Sequence, residues 1–268
     1  MQMSKLKFFS SILALIAMLG VQSEASEIAD DYQFRSGDVL IKKAEQWKAI
    51  KILHIDTFEN DDETLHILVY EDTLLKPTLN ELKRTSVQIK HSPITRNSFE
   101  KDWQVLGNEK VNDREIEGFI NYLKHNDFQR YAEFTNQDLN NLISLANSKY
   151  KKAYSLSKES KLKEAIELYS EAVEIFPLFI EAIDNIAFIY MDMGQYELAI
   201  EYFNKSLMIE PRGYTALYYK GKSFINLGDV DTALTIFKEG MISFPEKEKA
   251  FEEMYLKLKK IKDMRNNG

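Results

Sequence analysis

Residues 191–211 read MDMGQYELAIEYFNKSLMIEP and end in a proline. Proline lacks a backbone N–H and its ring clashes with the preceding turn, so no regular helix runs through it. The chain has five prolines, and three of them, Pro177, Pro211 and Pro245, fall at intervals of 34 residues. A helix stop at so regular a spacing implies a repeated structural unit.

Aligned on those prolines, three segments come into register: ANSKYKKAYSLSKESKLKEAIELYSEAVEIFP from 146, IEAIDNIAFIYMDMGQYELAIEYFNKSLMIEP from 180 and YTALYYKGKSFINLGDVDTALTIFKEGMISFP from 214. In the second, Ile183, Ile186, Ala187 and Tyr190 follow a helical period, Gly194 interrupts, and Ala199, Phe203, Ser206 and Leu207 resume it. Each unit therefore reads as helix, tight turn, helix, stop. Two antiparallel helices approach closely only where a side chain is missing at the crossing. Ala153, Ala187 and Gly221 supply that place in the first helices, and Ala165, Ala199 and Ala233 in the second, each of these followed four residues later by a ring, Tyr169, Phe203 or Phe237. Gly194 and Gly228 permit a left-handed turn between paired helices.

This pattern resembles the tetratricopeptide repeat family, whose 34-residue unit carries a W-x2-L-G-x2-Y...A-x3-F...P signature. The second unit has Ile183, Ile186, Ala187, Tyr190, Ala199, Phe203 and Pro211 at those places, and the third has Leu217, Lys220, Gly221, Phe224, Ala233, Phe237 and Pro245. The first departs from it, with Lys149 and Lys152 at apolar places and Ser160 in place of the turn glycine, as an end repeat would. After Pro245, Phe251, Met254, Tyr255 and Leu258 share one face of a charged segment, the pattern of a capping helix. The resemblance covers residues 146–262 and implies a solenoid of three helix pairs plus a cap helix.

Residues 26–110 are patterned differently. GDVLIKK, WKAIKILHID, TLHILVYED and SVQIKH are short runs of β-formers between turn residues, which predict four or five strands in a twisted sheet or open barrel. Residues 111–145 read as a helical connector. Asn112 caps its first helix with Glu115 three residues on, and Ile116, Phe119, Ile120 and Leu123 form the buried stripe. A second helix is expected to start after Thr135 and continue into the first repeat. The fold class is thus α+β.

Residues 1–25 carry Lys5 and Lys7, the apolar run FFSSILALIAMLG, and Ser23 and Ala25 at signal-peptidase spacing. They read as a secretory signal rather than a membrane anchor, since a span needs about 20 apolar residues. A periplasmic or secreted protein with no stable membrane anchor after cleavage is the expectation. The chain has no cysteine, which removes disulfides, lipidated cysteine and thiol chemistry. A formal net charge of −7, with no basic cluster, disfavours nucleic acid and anionic lipid.

Catalytic constellations are missing from the sequence: no G-x-S-x-G, no H-E-x-x-H, no phosphate-cradling or dinucleotide glycine loop. No catalytic residue, cofactor or metal is assigned, and no enzyme is expected. His54 and Asp56 share a strand face, with His66 placed to stand opposite on the next strand. They read as sheet residues satisfied by polar neighbours, with a metal held by two histidines and a carboxylate as the alternative. ENDDE, residues 59–63, reads as a solvated acidic hairpin tip rather than a calcium loop, which would need glycine and alternate spacing.

One stripe of the first helices is not claimed by the core. Glu181, Asp184, Phe188 and Met191 follow helical spacing beside the inward residues, and a shift of 34 turns them into Asn147, Tyr150, Tyr154 and Ser157, or Thr215, Tyr218, Lys222 and Ile225. The family resemblance implies that this stripe lines a concave groove for segments of other proteins. The partner-binding residues would be Tyr150, Tyr154, Glu181, Asp184, Phe188, Met191, Tyr218, Lys222 and Ile225. The same rings could instead be covered by the N-terminal domain. Two readings follow: an exported adaptor that binds a protein or peptide partner in the periplasm, or an immunity or inhibitor protein that neutralises a secreted toxin or hydrolase. The export reading is checked by the intact mass of protein made in a secreting host: a chain starting at Ser26 is expected, and one retaining Met1 in the membrane fraction contradicts it.

Overall fold

The computed structural model describes residues 32–58, 62–96 and 102–266; the signal segment expected over residues 1–25 and residues 59–61 of the acidic hairpin lie outside them. The chain divides into two compact units, the first ending at Leu123 and the second beginning at Lys124.

The first unit is a five-stranded antiparallel sheet. Strands β1 (Asp38–Lys43), β2 (Trp47–Thr57), β3 (Glu63–Tyr70) and β4 (Val87–Thr95) follow one another as a meander, and β5 (Gln104–Asn108) returns beside β1, giving the order β4-β3-β2-β1-β5. The sheet is open rather than closed into a barrel. The first four strands coincide with the apolar runs of the sequence. A short helix α1 (Leu79–Leu82) lies in the segment between β3 and β4, closed by a capping box in which Thr78 and Glu81 satisfy each other's backbone N–H groups.

Leu40, Ile50, Ile52, Leu65 and Ile67 are buried together on one face of this sheet, packed with Phe34, Ile94 and Trp103. Strict alternation would put His54 on that same apolar face, two places beyond Ile52. Instead the register shifts: Ile52 pairs with Ile67, but His54 pairs with His66, so one extra residue is inserted at Leu53. Such a bulge inverts the parity of the strand beyond it. His54 and Asp56 therefore join His66 on the opposite face.

Helix α2 (Asp113–Asn126) covers that second face. It approaches so closely that a Cβ on Gly118 would stand 2.3 Å from the carbonyl oxygen of Lys90 in β4, a separation only glycine tolerates. Its N-terminus is capped as the sequence indicates, Asn112 Oδ1 accepting from the Glu115 amide and Glu115 from the Asn112 amide. The same Glu115 carboxylate receives two hydrogen bonds from the buried Lys51 ammonium, at 2.9 and 2.8 Å, and one from the Tyr70 hydroxyl at 3.5 Å. Burial, then the charge of Glu115, pushes the Tyr70 phenol well above its usual range. Breaking a buried pair of this kind strands a charge and typically costs about 3–5 kcal/mol.

The second unit is helical throughout. After α3 (Phe128–Phe134), helix α4 (Leu139–Lys158) begins just past Thr135 and runs unbroken into the first repeat, as expected. Then follow α5 (Leu162–Ile175), α6 (Ile180–Asp192), α7 (Tyr196–Ile209), α8 (Tyr214–Asn226), α9 (Val230–Ser243) and, past a 3-10 turn at Pro245–Lys247, the cap α10 (Glu248–Asn266).

Helices α5, α7 and α9 each end two residues before their proline. The residues between, Phe176, Glu210 and Phe244, take φ of −125°, −122° and −132° with ψ of 88°, 87° and 70°. Proline forces its predecessor out of the helical region in this way. The crossing residues Ala153, Ala165, Ala187, Ala199 and Ala233 are fully buried with Tyr169, Phe203 and Phe237 beside them.

The three turns between paired helices share one left-handed position: Gly194 at φ 72°, Gly228 at φ 80° and, in the first repeat, Ser160 at φ 60°. A serine there strains the backbone where glycine does not. Ser160→Gly is therefore expected to stabilise the helical unit by up to about 1 kcal/mol, and Gly194→Ala, whose added methyl meets nothing within 4 Å, to destabilise it by about 1 kcal/mol through φ alone. Urea unfolding followed by far-UV circular dichroism measures both; two shifts of the same sign would contradict the shared turn.

Candidate functional site

Two groups of side chains carry chemistry, one in each unit. In the sheet unit, one oxygen of Asp56 lies 3.2 Å from His54 Nε2, and the other is hydrogen-bonded to His66 Nε2 at 3.0 Å. His66 Nδ1 lies 2.8 Å from His91 Nε2 on β4. With His66 donating through Nε2, its Nδ1 accepts, so neutral His91 donates through its own Nε2.

Phe119 of α2 stacks on His54 at 4.9 Å and tilts against His66 at 4.5 Å, while Tyr122 lies 4.5 Å from His91. The pair expected across the strands is thus present, and the sequence reading missed its third histidine, His91. Both ring nitrogens of His66 are engaged within the chain, and among the described residues no group of three or more such side chains is placed to hold a metal. The arrangement is a polar relay that ties three strands together under the helix.

In the helical unit the expected stripe divides by exposure. Tyr150 on α4 is half-buried, stacks on Phe179 at 4.9 Å and accepts a hydrogen bond from Asn185 Nδ2 on α6 at 3.0 Å. Tyr154, one turn later, is 47% exposed, with the Lys158 ammonium 5.1 Å over its ring. On α6, Glu181 is exposed, Asp184 and Met191 are half-buried, and Phe188 lies edge-on between Phe203 at 5.5 Å and Tyr219 of α8 at 4.8 Å. On α8, Tyr218 packs against Phe237 and Phe251, Ile225 joins the same apolar cluster, and the Lys222 ammonium sits 4.9 Å from the Tyr219 ring.

Most of the stripe therefore offers one side to the core and the other to the surface. Helices α4, α6 and α8 are held side by side through Asn185 with Tyr150 and Tyr219 with Phe188. The connecting roles of Asn185 and Tyr219 were not read from the sequence, although the two are 34 residues apart, one place beside the stripe.

Asp184 stands out electrostatically. Its Oδ1 is buried beside the buried Ser206 hydroxyl; burial raises its carboxyl above the usual range, with the Ser206 hydroxyl opposing and the nearby charge of Glu181 adding.

Family models described as tetratricopeptide repeat match residues 146–177, 185–212 and 215–240. No family model matches the N-terminal region. Among curated proteins, BBSome complex member BBS4 of Bos taurus is 35% identical over 77 residues, 29% of this chain and only 15% of that protein's length. Solved structures with a similar helical segment include the Sgt2 TPR domain of Aspergillus fumigatus, at TM-score 0.42 and 20% identity over 46% of this chain and 82% of that one. Another is the Yersinia enterocolitica type III secretion chaperone SycD in complex with a peptide of the translocator YopD, at TM-score 0.40 and 15% identity over 43% of this chain and 93% of that one.

The relay makes stability depend on pH. Burial, then the charge of His66, holds the His91 imidazole down at about 4, against 6.5 when unperturbed. A depressed histidine binds its proton more weakly when folded, so its contribution to stability is complete above pH 6.5 and is lost as pH falls toward 4. Allowing for partial solvent screening, the loss is about 2 kcal/mol. Both tryptophans, Trp47 and Trp103, lie in the sheet unit, so urea unfolding read by tryptophan fluorescence follows it alone. His91→Asn should flatten the profile between pH 6.5 and 4; an unchanged slope would contradict the assignment.

Proposed function

With residues 146–240 taken as tetratricopeptide repeats, we propose that the chain is a non-enzymatic binding module, exported by its N-terminal signal, that holds a segment of a partner protein along the exposed side of α4, α6 and α8. The observation that carries the reading is the recurring band of side chains on these helices, Tyr154, Glu181, Phe188 and Lys222 among them, whose inner neighbours are locked by the core. A band fixed in this way loses little conformational entropy when a partner docks. Its mixture of aromatic surface and charge is that of protein-binding faces. Export to the periplasm rests on the sequence of residues 1–25 alone.

Tyr154 offers the cleanest test, because its ring is the most exposed aromatic of the band. Tyr154→Ala should change folding stability by less than about 0.5 kcal/mol. A partner captured with the full chain from the source's own envelope extract, then purified, should bind the variant about tenfold more weakly or worse by calorimetry. Ile242→Ala, on the exposed side of a second helix, should leave that affinity unchanged. Equal affinities of Tyr154→Ala and the unmodified chain would contradict the reading.

A further inference from the structure

The two most exposed large apolar side chains among the described residues are neighbours in the sequence, Leu74 at 79% and Leu75 at 82%. Single exposed leucines are ordinary on a protein surface, but two in a row, each standing almost clear of the chain, are not. Nor do they hang from a loose loop. Thr73, the residue before them, exchanges backbone hydrogen bonds of 2.8 and 2.9 Å with Trp47 at the start of β2, and its hydroxyl donates to the Leu75 carbonyl at 2.9 Å. Pro77 beyond them is buried. The tip is thus fixed at both ends, and covering it costs little ordering entropy. Beside it stands half-buried Trp47, with the ammonium groups of Lys43 and Lys76 each 5.6 Å from the centre of its ring.

We propose that Leu74 and Leu75 insert into the interfacial layer of a lipid bilayer and make the sheet unit a reversible membrane-surface module, independent of the band on the helical unit. Apolar side chains that project outward suit a fluid layer that closes around them, whereas a protein partner would need a pocket of matching shape, and leucine is under-represented among the residues that anchor protein interfaces. The neighbours of the leucines are those of a bilayer boundary. Tryptophan is enriched at that depth, and lysine lays its stem along apolar surface while its ammonium reaches the lipid phosphates. The charge nearby selects the lipid. Lys43, Lys48 and Lys76 are matched by Glu45, Glu71 and Asp72, with Lys48 and Asp72 paired at 3.1 Å, so the tip has no net charge to draw it to an anionic surface. Insertion of leucine rather than electrostatic attraction therefore supplies the binding, and zwitterionic lipid suffices. Two leucines bury too little to hold the chain permanently, unlike a spanning helix.

The test uses the chain beginning at Ser26, which keeps every described residue and leaves out the apolar run of residues 8–20, whose own affinity for lipid would mask the effect. It should float with phosphatidylcholine vesicles at physiological salt, and lipid brominated along its acyl chains should quench Trp47, whose emission is told from that of Trp103 by Trp47→Phe. Leu74→Ser combined with Leu75→Ser should lower the partition coefficient about tenfold or more while leaving the melting temperature unchanged, since both side chains lie outside the core. Ile242→Ser, which removes a comparably exposed apolar side chain from the helical unit, should leave partition as it was. No flotation of the unmodified chain, or equal flotation of the double variant, would overturn the proposal. So would flotation without quenching of Trp47, which puts another surface on the bilayer, and binding confined to phosphatidylglycerol vesicles and lost in salt, which makes it electrostatic. If the double variant melts lower, the quenching of Trp47 in the unmodified chain decides alone. Self-association without lipid that the double variant abolishes would overturn the proposal in favour of a second copy of the chain.

Discussion

Two helices lie as close as α6 and α7 do only because neither has a side chain larger than a methyl to place between them. Ala187 meets Ala199 at full burial, Ala153 and Ala165 do the same one repeat earlier, and in the third repeat a Cβ on Gly221 would stand 2.8 Å from the Phe237 ring. A second row of small residues, Ala172, Ser206 and Gly240, lies two turns further along the same face of the second helices. At Gly240 the fit is tightest, a Cβ there falling 2.2 Å from the ring of Phe251 on the cap helix. Close approach is what lets Phe203 and Phe237 fill the adjoining space completely. It also leaves rings such as Phe188 with one side outside, because they find the interior already full.

The sheet unit depends on an analogous constraint of a different kind, a single inserted residue. Without the bulge at Leu53, His54 would point among Ile50 and Ile52, and a buried imidazole there would lack partners. With it, His54, Asp56, His66 and His91 meet under Phe119. Glu115 then fixes the helix to the sheet by serving as N-terminal cap and as counter-ion to buried Lys51. Two roles in one carboxylate make α2 and the sheet a single cooperative body.

How much of this the sequence discloses follows from the range of each interaction. The repeats were legible because proline, glycine and alanine act locally and recur every 34 residues. The strands β1 to β4 were legible as apolar runs, but β5, with only Val105 and Leu106 as apolar residues, was not. Helices α1 and α3 are too short to show a period. The partner of His66 could not be read, because His91 is brought to it by a strand pairing 25 residues away. Likewise the stripe on α6 was visible, but not that Tyr219 of the next repeat closes over one side of Phe188, nor that Asn185 reaches back to Tyr150. Contacts between neighbouring repeats depend on the superhelical stacking, which periodicity alone does not give.

The central claim is that partners engage the first helices of the repeats and not the second. Site-specific photo-cross-linking in the source organism tests it most directly, with the photoreactive residue placed singly at Tyr154, Lys222, Met208 or Ile242. Met208 and Ile242 are more exposed than Tyr154, at 68%, 74% and 47%, so accessibility alone favours the wrong face. The account predicts a shared protein adduct from positions 154 and 222 and none from 208 and 242. Adducts from 208 and 242 with none from 154 and 222 would contradict it.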